Sequence, residues 1–297
     1  MNATALIVTF NRLNKLIKTI EATLALPFQH IVIVNNASTD NTSQWLSQLH
    51  DSRIKVIESK YNIGGAGGFY LGAEFISKHV KTKWIVFYDD DAYPEKDFLN
   101  KFESLNPDEH VAYCSKVLDL KNNICTMNKP WIRKTTTFTD NFLYCINKDK
   151  FVVSSELDSE SITFSFVGCI ISHDILEKTY SNIDRKLFIY YDDVFYSYFL
   201  LRMGVKIRYE AALVFRHDIV AESSVKLPPW KIYYLVRNII IGKKSYGKEC
   251  FFSKRAIAVR LIVYFIHTLK SNNIKLSVKY YFKGVSDGLR NLSGKRH

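Results

Sequence analysis

Residues 83–94 read Lys83-Trp84-Ile85-Val86-Phe87-Tyr88-Asp89-Asp90-Asp91-Ala92-Tyr93-Pro94. The apolar and aromatic run before the acids is typical of a strand in the middle of a parallel sheet, and Pro94 is expected to prevent its continuation. Three adjacent carboxylates repel one another, so a cation is expected beside them, most simply a divalent metal with hard oxygen ligands. A solvated acidic turn would show the same residues, because short motifs recur by accident.

The composition limits the class of protein. With 297 residues, of which 47% are hydrophobic, the chain can bury the core of one large domain or of a domain with an appendage. A net charge of +12 indicates a polyanionic neighbour, namely nucleic acid, anionic lipid or a phosphorylated substrate. Five cysteines without a C-x-x-C pair argue against a disulfide framework or zinc site and favour a reducing cytoplasm. No signal peptide and no membrane-spanning run is expected.

The first third of the chain alternates strand and helix patterns. This alternation predicts a parallel α/β sheet with right-handed crossovers. Because ligands bind at the carboxyl ends of such strands, polar residues that follow the strands should collect at one edge. The strands are expected at 4–10, 31–34, 54–57 and 84–88, and the edge residues are Arg12, Asp40, Asn62 and the acidic triplet.

A glycine-rich stretch follows the third strand: Asn62-Ile63-Gly64-Gly65-Ala66-Gly67-Gly68-Phe69. It is neither a Rossmann fingerprint nor a P-loop, since it lacks the required spacing and the Lys-Ser/Thr pair. Glycines serve equally for close substrate approach and for tight packing of a helix start, and a helix is expected around 69–80.

The second half of the chain contains three further informative features. Phe164–Ile171 has the pattern of a strand. Asp192-Asp193 open an amphipathic helix whose dipole favours their charged form, as a general base requires, although acids that merely match a helix N-terminus would show the same pattern. A strand pattern over 206–215 ends at His217, which is either a further metal ligand or a structural histidine.

The composition changes after Pro228-Pro229-Trp230. Residues 230–238 and 255–269 have helix patterns rich in aromatics and cations, and the apolar run between Arg255 and Lys270 is too short to span a bilayer. Such a segment either lies at an anionic membrane surface or packs on the sheet as a helical appendage. We therefore divide the chain into a catalytic domain, 1–220, and a basic helical region, 221–297.

Taken together, these motifs resemble those of family 2 glycosyltransferases, over roughly residues 4–240. The resemblance is greatest to bacterial galactofuranosyltransferases, which share the Asn-x-Gly-Gly-x-Gly-Gly-Phe stretch. The Tyr233-Tyr234-x-x-Arg237-Asn238 stretch is similar to one found there and in rhamnosyltransferases. The motifs that carry the resemblance are 8–12, 35–40, 62–69, Asp89-Asp90-Asp91, Asp192-Asp193 and His217.

The resemblance implies a GT-A fold, that of nucleotide-diphospho-sugar transferases, with a mostly parallel central sheet and a helical C-terminal extension. It also implies a UDP-sugar donor, Mn²⁺ or Mg²⁺, and inversion at the anomeric carbon. By position in the motifs, Asp89, Asp91 and His217 would bind the metal, Asp193 would be the base, and Asp192 would orient the acceptor. The donor would be held by Thr9, Asn11, Arg12, Asp40, Asn62 and Asp90.

The chain departs from the larger polymerising members of the family. It lacks their extra N-terminal domain, and the aromatic pair of the acceptor pocket has no obvious counterpart except Phe164, Phe166 and Gly168. We therefore expect transfer of one or a few sugars to a glycan or lipid-linked glycan such as lipopolysaccharide or capsule. The expected location is cytoplasmic, on the inner face of the plasma membrane.

Two kinds of alternative stay open. Within the same fold, a rhamnosyltransferase or an N-acetylhexosaminyltransferase would show the same motifs, because none of these residues reads the sugar ring directly. A non-catalytic module that binds polyanions or membranes would explain the basic C-terminal region. Nucleic acid is not expected as a partner, and two separate intact carboxylate sites favour an enzyme.

Overall fold

The computed structural model describes residues 1–219 and 227–296. Its described strands form one nine-stranded sheet in the order β3-β2-β1-β4-β8-β6-β9-β5, and β7 also pairs with β9. The strands are β1 Ala3–Thr9, β2 His30–Asn35, β3 Ile54–Glu58, β4 Trp84–Asp89, β5 Ala92–Pro94, β6 Val111–Asp119, β7 Ser159–Ser161, β8 Cys169–Ser172 and β9 Lys206–His217.

Helices cover both faces of this sheet and continue beyond its last strand. The helices are α1 Leu13–Leu24, α2 Thr42–Leu46, α3 Gly64–His79, α4 Phe98–Ser104, α5 Phe138–Ile146, α6 His173–Thr179, α7 Asp192–Arg202, α8 Pro229–Tyr246, α9 Lys254–Leu269 and α10 Ile274–Leu289.

The first four strands confirm the predicted parallel half of the sheet. Strand β1 pairs with β2 on one side and with β4 on the other, and β2 pairs with β3, all in parallel. Alternate side chains of β1 enter two different cores: Ala5 and Ile7 pack on the side of α1, and Leu6 and Val8 on the side of α3. Both faces of β1, β2 and β4 are buried, which explains their continuous apolar runs, whereas the edge strand β3 is largely exposed.

The other half of the sheet is mixed. Strand β8 pairs antiparallel with both β4 and β6, and β9 runs parallel to β6 but antiparallel to β5. The strand expected over Phe164–Ile171 is shorter, because only Cys169–Ser172 join the ladder. Strand β9 is longer than expected and includes His217.

Two expectations at the ends of elements were wrong. Pro94 does not follow the last strand residue but is itself the last residue of β5, where it lies opposite Phe215. Helix α3 begins at Gly64 rather than near 69, so the glycines form its first two turns. Glycine is a poor helix former, so packing rather than intrinsic propensity explains this start.

The described part of the C-terminal region is helical, as expected, and α8, α9 and α10 pack on one another and on α7. No helix among the described residues is long and apolar enough to cross a membrane. The boundary that the sequence places between residues 220 and 221 lies outside the described residues.

The glycines of α3 allow this helix to lie close to β1. A Cβ atom on Gly68 would lie 2.4 Å from Val8 Cγ1, and one on Gly72 would lie 2.2 Å from Leu6 Cδ1. A Cβ on Gly65, by contrast, would meet nothing within 4 Å. Tight packing is therefore the role of Gly68 and Gly72, and Gly65 is the glycine that faces open space.

This contrast gives a matched test of the packing. Gly68→Ala should lower the free energy of unfolding by about 1–3 kcal/mol, because the added methyl group overpacks the contact with Val8. Gly65→Ala should leave stability unchanged or raise it by about 0.5–1 kcal/mol, because alanine favours the helix. Urea denaturation of both variants measures the difference, and equal stabilities would contradict the packing role of Gly68.

Candidate active site

The acidic triplet lies where β4 ends, at the carboxyl edge of the parallel strands. Asp89 is the last residue of β4 and pairs with Val8 of β1. Asp90 turns back towards β1: its Oδ2 accepts hydrogen bonds from Thr9 Oγ1 at 2.8 Å and from the Phe10 amide at 3.2 Å. Thr9 is buried, so its hydroxyl fixes Asp90 and is not free for the donor in this arrangement.

Cations from α1 lie against the triplet. Arg12 Nη1 is 2.6 Å from Asp91 Oδ2 and 3.3 Å from Asp90 Oδ1, and Lys15 Nζ is 3.7 Å from Asp91 Oδ2. Arg12 directly precedes α1, and the helix is anchored because Thr19 Oγ1 donates to the Asp90 carbonyl at 2.9 Å. The predicted donor residue Arg12 therefore shares the site with the predicted metal ligands.

The three carboxylates differ in protonation. Burial, reinforced by the neighbouring Asp91 and Asp90 charges, raises the pKa of Asp89 to about 7. Burial also raises the pKa of Asp90 to about 6, although Arg12 opposes this effect. Burial opposes the charge of Asp91 too, but its hydrogen bond to His217 and the cations Arg12 and Lys15 hold its pKa below the usual value. Asp91 is thus the member of the triplet whose charged form is favoured.

His217 reaches the triplet from the far end of the sheet. It lies opposite Ala92 in the β5–β9 pair, and its Nε2 is 3.2 Å from Asp91 Oδ1. Its Nδ1 lies 3.2 Å from the Oδ1 of buried Asn128, which holds the ring from behind. The role of Asn128 could not be predicted from the sequence, because its segment carries no periodic signal.

The donor chemistry of the triplet fits a divalent metal. Asp89, Asp91 and His217 supply oxygen and imidazole ligands of the kind that Mn²⁺ accepts, and Asp89 has no hydrogen bond among the described residues that would compete. As the side chains stand, however, no three such groups in residues 1–219 and 227–296 form a ready-made metal site. Arg12 occupies the second oxygen of Asp91, so a metal would have to displace or share that contact.

Asn11 and Asp40 organise the loops beside the triplet. Asn11 has a left-handed backbone with φ of 53°, and its Oδ1 accepts the Thr39 amide at 2.6 Å. Asp40 accepts the amides of Thr42 at 3.1 Å and Leu13 at 3.4 Å. Slight burial raises the pKa of Asp40, but these hydrogen bonds outweigh burial and keep it below its usual value. Both residues lie exposed at the same edge of the sheet as Arg12.

Asn62 and Asn36 fix the start of α3. Asn62 Oδ1 accepts the Gly64 amide at 2.9 Å. Asn36 is fully buried; it accepts the Ile63 amide at 2.9 Å and donates to the Gly64 carbonyl at 2.9 Å. The sequence motif included Asn36 but no role was predicted for it. This role of Asn36 could have been predicted, because an asparagine directly after a strand often forms hydrogen bonds with nearby backbone groups.

The second pair of carboxylates opens α7, as the sequence predicted. Asp193 is partly exposed, and its Oδ1 accepts the Val194 amide at 2.7 Å. Asp192 is buried, and both Asp193 and Asp89 of the triplet repel its charge. The two carboxylate groups are therefore separate but within electrostatic reach of each other.

The helix dipole does not dominate the charge of this pair. Burial raises the pKa of Asp193 to about 6, against the hydrogen bonds from Val194 and its own backbone. Burial, then repulsion from Asp193, raises the pKa of Asp192 well above the usual value. The sequence predicted that the start of α7 favours the charged form of both acids, and burial acts against this preference. Burial thus favours the protonated form of both acids.

The aromatic residues proposed for the acceptor pocket lie elsewhere. Phe164 and Phe166 are buried in the core beneath α3, where Phe166 contacts the rings of Phe69 and Phe87. Gly168 has a left-handed backbone and packs on Ser115. Phe164 and Phe166 are therefore part of the core and do not lie on an exposed surface where an acceptor could bind.

Comparison with known proteins places this site in a familiar fold. The sequence model of "Glycosyl transferase family 2" matches residues 4–149, which include the triplet but not Asp192, Asp193 or His217. No curated protein matches the chain in sequence.

Solved structures resemble the whole chain. GalNAc-T7 with UDP, GalNAc and Mn²⁺ has a TM-score of 0.61 at 12% identity, covering 98% of this chain. The chain spans only 57% of the length of that protein. Mannosyltransferase PcManGT from Pyrobaculum calidifontis, in complex with GDP-Man and Mn²⁺, has a TM-score of 0.57 at 12% identity, covering 98% of this chain and 87% of that one.

A fragment of TarS from S. aureus, residues 1–349, gives a TM-score of 0.55 at 14% identity, covering 98% of this chain and 83% of the fragment. At these identities the likeness establishes the fold. The chain has a GT-A fold with a mostly parallel central sheet and helices in the C-terminal region, as the resemblance implied.

Proposed function

We propose that this chain is a metal-dependent, inverting glycosyltransferase that moves galactofuranose from UDP-galactofuranose to a hydroxyl of a cell-surface glycan. One observation carries the proposal. Two separate carboxylate groups, Asp89–Asp91 and Asp192–Asp193, lie within electrostatic reach at the carboxyl edge of a GT-A sheet. The family match over 4–149 supports glycosyl transfer, and the glycine-rich stretch 62–69 is the feature that favours the furanose donor.

The triplet serves the leaving group. Asp89, Asp91 and His217 would hold Mn²⁺ or Mg²⁺, which when bound stabilises the charge that develops on the departing diphosphate. Arg12 sits on the same carboxylates and carries a permanent charge, so a cation that replaces it frees Arg12 for the phosphates. Asn11, Asp40 and Asn62 line the adjacent loops and would contact the uridine and sugar.

The second pair serves the acceptor. Asp193 would accept the proton of the acceptor hydroxyl as its oxygen attacks the anomeric carbon from the face opposite the diphosphate. With a pKa of about 6, Asp193 is mostly ionised at neutral pH yet basic enough to take a proton. Asp192 beside it would orient the acceptor, and burial raises its pKa and so favours the protonated form, which can donate a hydrogen bond.

A donor panel tests the function. UDP-galactofuranose should release UDP with Mn²⁺ and a glycan acceptor, and a chelator should abolish the release. UDP-galactopyranose, dTDP-rhamnose and UDP-N-acetylglucosamine should release little. Turnover of one of these donors instead would reassign the sugar to a rhamnosyl- or hexosaminyltransferase. No release from any donor, with acceptor present, would favour a binding module and contradict the proposal.

Asp91→Ala provides the matched variant for the metal site. This substitution should lower donor turnover by on the order of 100-fold or more, because Asp91, whose charged form is favoured, is lost as a metal ligand. Asp97→Ala removes an exposed carboxylate paired with Lys101 on α4 and should leave turnover unchanged. Wild-type turnover in Asp91→Ala would remove this residue from the metal site.

The two carboxylates of α7 should respond differently to amide substitution. Asp193→Asn should lower transfer by about 10²–10⁴-fold, because the base is lost. Asp192→Asn should cost far less, because the raised pKa of Asp192 favours its protonated form, which an amide resembles. Because the pKa of Asp193 is raised, wild-type transfer should decline as pH falls through about 6 rather than about 4. If Asp192→Asn lowered transfer more than Asp193→Asn, the base would be Asp192 rather than Asp193.

The acceptor is proposed to be presented at an anionic membrane surface. Residues 250–296 contain ten lysines and arginines and one acid, Asp287. Exposed apolar side chains line the outer faces of α9 (Ile262, Ile266 and Leu269) and α5 (Phe138, Phe142 and Ile146), and Arg255 of α9 lies over the ring of Phe138. Apolar faces beside cations suit a bilayer with anionic headgroups.

Point substitutions test this surface better than truncation, because the C-terminal residues also support the fold. Ile262→Glu with Ile266→Glu should weaken binding to phosphatidylglycerol-containing vesicles by about tenfold or more, because two charges enter the apolar face. Leu105→Glu with Leu120→Glu adds the same charge at exposed sites elsewhere and should change binding little. Equal effects of both pairs in vesicle sedimentation would argue against this membrane face.

A further inference from the structure

The segment before Asp192 has an unusual backbone. Phe188, Tyr190 and Tyr191 adopt left-handed conformations with φ of 71°, 70° and 69°. Bulky L residues disfavour this region, so the surrounding structure must hold the segment in place. Tyr191 directly precedes α7, and any relaxation of the segment would therefore move Asp192 and Asp193.

Asn238 of α8 holds this segment. Its Nδ2 donates to the carbonyls of Leu187 at 3.0 Å, Ile189 at 2.6 Å and Tyr190 at 3.1 Å. The side chain is fully buried. The two hydrogens of one amide group thus lie within hydrogen-bond reach of three carbonyl oxygens of the segment.

Arg237 fixes the orientation of that amide. Its Nε donates to Asn238 Oδ1 at 2.9 Å, which leaves Nδ2 facing the segment. Its Nη2 donates to the Leu187 carbonyl at 2.7 Å, and its Nη1 donates to the Gly294 carbonyl at 2.6 Å. The guanidinium is fully buried and lies 4.6 Å from the ring centre of Tyr234.

The other side of the segment contacts the glycine-rich helix. The Phe188 carbonyl accepts the Ala66 amide at 3.1 Å. A Cβ on Gly64 would lie 2.0 Å from that carbonyl oxygen, so only glycine fits there. The segment therefore links the acid pair of α7, the start of α3 and the buried side chains of α8.

We propose that Arg237 and Asn238 are positioning residues that hold segment 187–191, three of whose residues have positive φ, and thereby aim Asp192–Asp193 and the start of α3 at the substrates. The inference rests on the proposed function for its catalytic consequence. Its structural part, the support of segment 187–191, stands independently. The C-terminal helices then contribute to the active site without contacting the reacting atoms.

Asn238→Ala tests the proposal against Tyr281→Phe. Tyr281 lies in the same helical region and donates to the Leu261 carbonyl at 3.1 Å, far in sequence from segment 187–191. Hydrogen–deuterium exchange should rise in peptides spanning 62–70 and 186–195 of Asn238→Ala but not of Tyr281→Phe. Unchanged exchange in those peptides would overturn the proposal. This readout does not depend on activity.

Kinetic measurements then distinguish a positioning role of Asn238 from a role in protein stability alone. Asn238→Ala should lower kcat by about 10–100-fold with little change in the KM for the donor, since small misplacement of reacting groups is costly. A wild-type kcat in folded Asn238→Ala would overturn the proposal. If this variant does not fold, Arg237→Lys removes the tie to Asn238 and tests the same kcat effect. Absence of donor turnover in the wild type would instead refute the proposed function, and the exchange experiment would still test the support of segment 187–191.

Discussion

Mutual repulsion of three adjacent carboxylates is the constraint on which the rest of the site depends. Asp89, Asp90 and Asp91 end a strand that is buried on both faces, where charge is poorly solvated. The three carboxylates differ in what acts on their charge. Neighbouring cations hold the pKa of Asp91 below its usual value, Asp90 accepts a hydrogen bond from β1, and burial raises the pKa of Asp89 to about 7. A divalent cation would relieve the repulsion that Arg12 only partly offsets.

Elements from both halves of the sheet contact the triplet. The start of α1 is placed so that Arg12 and Lys15 face the triplet, and the short strand β5 exists directly after it. Pairing of β5 with the end of β9 brings His217 to Asp91, although 126 positions separate them in sequence (217 − 91). The antiparallel edge of the sheet thus completes a site that the parallel half begins.

Local patterns in the sequence predicted the local parts of this arrangement. The parallel strands, the edge that collects Arg12 and Asp40, and the start of α7 at Asp192 all follow from periodicity and from residues that end or cap elements. The start of α3 at Gly64 could not be predicted, because its glycines are explained only by contacts with Val8 and Leu6 of another element. The capping box that begins α5 at Thr137 and Asp140 was a readable signal that was missed.

The parts that the sequence could not reveal are those that depend on distant elements. Nothing near Phe164 or Phe166 indicates that both fill the core beneath α3, and nothing near Asn238 indicates that it bonds three carbonyls around residue 189. Similarly, a helix start favours ionised Asp192 when considered alone, whereas burial and Asp89 favour the proton. Burial is a property of the assembled chain, so charge states at such a site follow from the fold.

Helix α7 shows why the acid pair needs support from both parts of the chain. Tyr196 and Leu200 pack in the core of the sheet, whereas Phe195 packs with α8 and α9 in the helical region. Gly242 of α8 approaches so closely that a Cβ there would lie 2.2 Å from the ring of Phe195. Because α7 is held from both sides and its first turn is fixed through segment 187–191, the direction of Asp193 is set jointly by the sheet and the C-terminal helices. Glycosyl transfer at this site would then require the helical region to be docked.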